Sequence, residues 1–235
     1  MQRCSRFPQE VEHEIIQNLN SRIGEFVQSQ LCSDPAVAVV SGSVVLDSVH
    51  GTNVGNDIDF FCVRDVMLKV ISAAKAQNFV VHKYEPTGQY LEDQLGRYQI
   101  MLPDEKSMDV VVCIDPRFAV GGFDLSANKI AYCGKHLWAS SDWSPEKITR
   151  ATFTNTHTLD RFIGTMQYTL DPELYRMGAN EFGLAITREI LRMGKYAERG
   201  YRVLDMDGRL CALNSRELAT IRKVGASRPQ NKMEY

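Results

Sequence analysis

The chain has 235 residues, 44% of them hydrophobic, enough to bury a core as one catalytic domain or as one domain with a smaller appendage. The net charge is −2, made of −5 over residues 1–150 and +3 over residues 151–235, which suits an acidic metal-binding part beside one that meets an anionic substrate, and suits ordinary solvated charge as well. The start, MQRCSRFPQEVEHEII, has no apolar signal core, and no later apolar run approaches the roughly 18 residues of a membrane span, so the chain is expected to be soluble and intracellular, in the cytoplasm, with no membrane partner.

In chain order, Pro8 opens a segment whose apolar residues Val11, Ile15, Ile16, Leu19, Ile23, Phe26, Val27 and Leu31 recur at helical spacing, which predicts an amphipathic first helix. Strands follow at 36–40 and 58–63, then a helix over 65–78 with Asp65 as its N-cap, and a strand over 79–85. Residues 97–102 and 108–114 read as a hairpin with a five-residue loop. From Ser144 the pattern turns helical, with helices expected near 145–153, 157–170 and 181–199. The fold class is therefore α+β: a small mixed β-sheet flanked by helices, followed by a helical C-terminal part. The domains implied are a catalytic one over 1–143 and a helical one over 144–235 with a polar tail. Cys4, Cys32, Cys62, Cys113, Cys133 and Cys211 form no C-x-x-C pair, which excludes a zinc knuckle or a dithiol redox motif and leaves reduced, mostly buried thiols.

The chemistry is concentrated in VVSGSVVLDSVHGTNVGNDIDFF, residues 39–61. On a strand, Asp57 and Asp59 project to the same face while Ile58 points into the core. Two adjacent carboxylates repel each other unless a cation sits between them, and Mg²⁺ favours a few carboxylates with water and substrate phosphates. A third carboxylate completes a two-metal site for phosphoryl displacement. Asp109, opening the strand DVVVCI, is the leading candidate, and Asp115, before Pro116, reads more as a turn residue. Gly42 allows the backbone close to a ligand, and Ser43 at a following helix start offers donors to phosphate oxygens. Each feature has a plainer reading. Asp57 and Asp59 suit the wet face of an edge strand, Gly42 suits a turn, and Ser43 suits a helix cap. His50 reads as a loop residue, and His13, His82, His136 and His157 have no ligand spacing.

SGS, then thirteen residues, then DID followed by FF, then a separate strand carrying an Asp resembles the signature of the DNA polymerase β-like nucleotidyltransferase superfamily, which includes poly(A) polymerases, CCA-adding enzymes, aminoglycoside nucleotidyltransferases and toxin-type nucleotidyltransferases. The resemblance covers roughly residues 36–115. It implies Gly42 and Ser43 holding the triphosphate of ATP or another NTP, and Asp57, Asp59 and Asp109 binding two Mg²⁺ ions or Mn²⁺ in their place. The sequence departs from the commoner pattern at His50 and Asn56, where many members have Arg and Ser. The activity implied is template-independent transfer of a nucleoside monophosphate from an NTP to an acceptor hydroxyl, with an RNA or tRNA 3′ end favoured over a protein or small molecule. A nucleotide-binding regulator or structural subunit is the non-enzymatic alternative. Arg188, Arg192, Lys195 and Arg199 fall on one helical stripe, placed to bind an RNA acceptor or to form a solvated basic face.

Overall fold

In the computed structural model, which describes residues 1–4, 7–52, 57–84, 94–103, 105–123, 128–141 and 143, the apolar residues after Pro8 form helix α1 (Gln9–Ser29). Ile15, Leu19, Ile23 and Val27 are its buried stripe, each contributing about 1.5–3 kcal/mol of burial. Gly24 interrupts the helix at φ 76° and ψ 167°, a conformation that only glycine adopts without strain.

The chain divides into two units, Met1–Ile148 and Thr149–Tyr235, and every described residue belongs to the first. The helices expected at 145–153, 157–170 and 181–199, and the domain boundary expected between 143 and 144, lie outside the described residues.

The described residues contain a mixed eight-stranded sheet flanked by helices. Two-residue β1 (Gln2–Arg3) precedes α1, and β2 (Ala38–Ser41) runs into α2 (Ser43–His50). Next come β3 (Asp57–Cys62), α3 (Arg64–Ala76), β4 (Val80–Tyr84), β5 (Gln94–Met101), β6 (Ser107–Cys113), α4 (Pro116–Gly121), β7 (Ile130–Tyr132) and β8 (Leu137–Ala139). The spatial order is β1-β8-β7-β2-β3-β6-β5-β4. The β3–β6 pair is parallel and every other pair is antiparallel.

Alternation along the central strands splits the core in two. One face carries Ala38, Val40, Ile58, Phe60, Val110 and Val112 and packs against α1 and α3. The other carries Val39, Phe61, Val111 and Ala131 beneath Ala119 and Val120 of α4. Cys62 and Cys113 are both buried, Cys62 on the first face and Cys113 on the second, as small hydrophobes would be. Burial, with Cys113 nearby, pushes the Cys62 thiol far above its ordinary pKa.

Two details differ from the sequence reading. Val63, in extended conformation, holds the N-cap position of α3, and Asp65 stands in the helix's first turn, where its charge suits the helix dipole. Strands β1, β7 and β8 and helix α4 were not expected, because runs of two, three and six residues are too short to display a period.

Candidate active site

β3 and β6 run parallel and in register, with Asp59 opposite Asp109 and Asp57 opposite Ser107. Opposed residues on neighbouring strands share a face, so Asp57, Asp59 and Asp109 all lie on the α4 side of the sheet, on strands about 4.8 Å apart. α4 follows the C-terminal end of β6 and covers Phe61 and Val111, whereas the carboxylates stand toward the N-terminal ends of β3 and β6. Exposure falls along the group: Asp57 is exposed, Asp59 half-buried and Asp109 buried at 9%.

The loop between β2 and α2 meets this cluster. Ser41, opposite Asp59, donates its buried hydroxyl to the Ile130 carbonyl at 2.7 Å and ties β2 to β7. Gly42 then turns the chain at φ 75° and ψ −151° and serves as N-cap of α2. A Cβ there would stand 2.1 Å from Oδ2 of Asp59, so the backbone passes directly against that carboxylate. Ser43 is the first helical residue, which sets the N-terminal N–H groups of α2, and the positive end of its dipole, beside the acids.

The other end of α2 is braced. Arg22 of α1 donates to the Thr52 carbonyl at 2.9 Å and pairs with Asp47 Oδ2 at 3.4 Å, and Asp47 is almost completely buried. The αL glycine Gly51 closes the helix through bonds to the Asp47 and Ser48 carbonyls. His50 ends α2, and Asn56 lies outside the described residues.

Each acid has a protein neighbour. Ser107 donates to Asp57 Oδ1 at 2.8 Å, Asp59 lies against Gly42, and Arg97 of β5 forms a charge-assisted hydrogen bond to Asp109 Oδ2. Oδ1 of Asp109 is buried with no hydrogen-bond partner among the described residues. Among the described residues no three His, Cys, Asp or Glu side chains stand close enough together to hold a metal ion as they are. The donor chemistry nevertheless fits a hard divalent cation. Three carboxylates share one face, and one buried carboxylate oxygen has no donor among the described residues.

Asp115 takes no part. It caps α4, accepting from the Arg117 N–H at 2.9 Å and pairing with the Arg117 guanidinium at 2.6 Å. Those hydrogen bonds hold its carboxyl below the usual range. Arg97 and Arg22 were missed by the sequence reading. The expected loop, 103–107, sets Met101 opposite Asp109, whereas the structure sets Met101 opposite Ser107 and Gln99 opposite Asp109, and only that register makes Arg97 the diagonal neighbour. Nothing local signals Arg22, which is 25 residues from Asp47. Arg188, Arg192, Lys195 and Arg199 lie outside the described residues.

This is the nucleotidyltransferase fold. Among solved structures, the CCA-adding enzyme of Thermotoga maritima in complex with tRNA matches 92% of this chain at a TM-score of 0.55 and 16% identity, over 45% of its own length. A CCA-adding enzyme with CTP matches 91% at 0.53 and 15% identity, over 47% of its length, and one with ATP matches 93% at 0.52 and 12%, over 51% of its length. The chain thus spans about half the length of these structures. No protein-family model and no curated protein matches the sequence. Among the described residues no helix is long and apolar enough to cross a membrane.

Proposed function

We propose that the protein is a template-independent nucleotidyltransferase that moves a nucleoside monophosphate from an NTP to the 3′ hydroxyl of an RNA. The observation that carries this reading is the in-register pairing of Asp59 with Asp109, with Gly42 and the α2 N-terminus against Asp59. The N–H groups of α2 and the Ser43 hydroxyl would donate to triphosphate oxygens. Asp57, Asp59 and Asp109 would hold two Mg²⁺ ions, or Mn²⁺ in their place, which in such sites activate the acceptor hydroxyl and neutralise the leaving pyrophosphate. Asp109, the most buried of the three, is the acid placed nearest the acceptor hydroxyl in this reading.

RNA as acceptor is supported by the fold shared with the Thermotoga maritima enzyme, which was solved with tRNA. Arg188, Arg192, Lys195 and Arg199 would contact the acceptor backbone from the C-terminal part, taken as residues 144–235. The test incubates the chain with each α-labelled NTP, Mg²⁺ and total cellular RNA and protein. Labelled RNA is the expected product, whereas labelled protein or small molecule would move the acceptor. A regulatory role without catalysis is favoured by one feature, the Arg97 ion pair that occupies Asp109. Stoichiometric NTP binding without pyrophosphate release would establish that role instead.

A further inference from the structure

Asp109 is only half satisfied. Its Oδ2 accepts from Arg97, and its Oδ1 is buried with no hydrogen-bond partner among the described residues, an unfavourable arrangement unless something else binds there. Arg97 is held in place by its neighbours: its guanidinium lies 5.2 Å from the centre of the Tyr84 ring, and the Tyr84 hydroxyl donates to Gln99 at 2.9 Å, the residue directly opposite Asp109. The Arg97 side chain is 32% exposed, so it has a path away from the carboxylate, while the Asp109 side chain at 12% has little freedom to leave. Arginine binds carboxylate and phosphate in the same forked geometry.

We propose that Arg97 is a positioning residue that occupies Asp109 in place of a divalent cation and links cation binding to nucleotide binding. The inference rests on the reading of Asp57, Asp59 and Asp109 as the cation ligands. A cation arriving alone must displace the guanidinium and break the Arg97–Asp109 bond. A cation arriving with a triphosphate gives Arg97 a phosphate oxygen to bind instead. Cation and nucleotide therefore bind with positive coupling, and by linkage each raises the affinity of the other by the same factor.

The test uses the full chain and follows free Mn²⁺ by electron paramagnetic resonance, with and without α,β-methylene-ATP, which cannot be transferred. Wild type is expected to bind Mn²⁺ on the order of tenfold more tightly when the analogue is present, within the ordinary range of coupling. Arg97→Gln is expected to bind Mn²⁺ alone about tenfold more tightly than wild type and to lose most of the coupling. Its melting temperature without metal should fall, since Asp109 loses the Arg97 guanidinium, and should rise on adding Mn²⁺ by more than that of wild type. Should the glutamine variant be too unstable, Arg97→Met carries the same expectations. Wild-type Mn²⁺ affinity and coupling in these variants, with binding lost in Asp109→Asn, would overturn the role of Arg97 and leave the cation site standing. Absence of Mn²⁺ binding in wild type and Arg97→Gln alike would overturn both.

Discussion

One aspartate–arginine pair lies on strand β6 and another just beyond its C-terminal end, and they are built differently. Asp115 and Arg117 are two residues apart, and the carboxylate caps α4 as well as holding the guanidinium, so both of its oxygens have donors. Asp109 and Arg97 are twelve residues apart on neighbouring strands, and one oxygen of Asp109 has no donor among the described residues. The first pair is complete by itself and needs only its own turn. The second exists only because the hairpin brings β5 beside β6, and its unmet oxygen is what a structural pair would not retain. Breaking the first is expected to cost stability alone, and breaking the second to cost function as well.

The strongest way to break this contrast is to neutralise the acids. If the cluster is the reacting centre, Asp59→Asn or Asp109→Asn should cost several kcal/mol of transition-state stabilisation, on the order of 10³-fold or more in NMP transfer, with a cooperative melting transition retained. Full activity in Asp59→Asn would remove the functional side of the comparison.

Gly42→Val probes the approach of backbone to acid. A side chain where the backbone is to approach a phosphate should weaken NTP binding, and the geometry adds a stability cost. The backbone there is essentially glycine-only, worth about 1–3 kcal/mol, and the new side chain must displace the Asp59 carboxylate. Urea denaturation should show that loss and nucleotide titration a separate loss of affinity; a variant as stable as wild type would contradict the packing. Ser43→Ala is expected to be milder, lowering NTP affinity by one charge-assisted hydrogen bond, about 1.5–3 kcal/mol, with little change in stability.

The smallest effect belongs to Asp115→Ala. Losing the cap and the ion pair should cost about 1 kcal/mol at neutral pH and leave transfer activity at the wild-type level. The Asp115 carboxyl has a depressed pKa in the folded chain, so the unfolded state binds its proton first on acidification. Its stabilisation is present above the unfolded pKa of about 3.9 and is lost as pH falls through the lower folded value. Wild type and Asp115→Ala should therefore converge in stability in that acid range. A loss of transfer activity in Asp115→Ala beside an active Asp109→Asn would reverse the two roles.

Much of the fold was legible because its periods are long. The stripe Ile15, Leu19, Ile23, Val27 repeats every four residues, and the D-I-D alternation of β3 splits wet from dry, so α1 and β3 could be placed within a residue or two. The three-residue strands β7 and β8 carry no such period and form as partners of β2, of each other and of β1.

By itself, the sequence determined the face shared by Asp57 and Asp59, the glycine at the β2–α2 turn and the fold class, all of which follow from local backbone geometry acting over a few residues. The tertiary structure alone decided that β6 lies parallel to β3 in a register that sets Asp109 opposite Asp59. It also decided that Arg97 fills the space beside Asp109, and that Arg22 reaches from α1 to hold α2. Register and charge pairing between distant segments depend on which hydrophobic faces pack together, and that free energy is summed over the whole core rather than written at any one position.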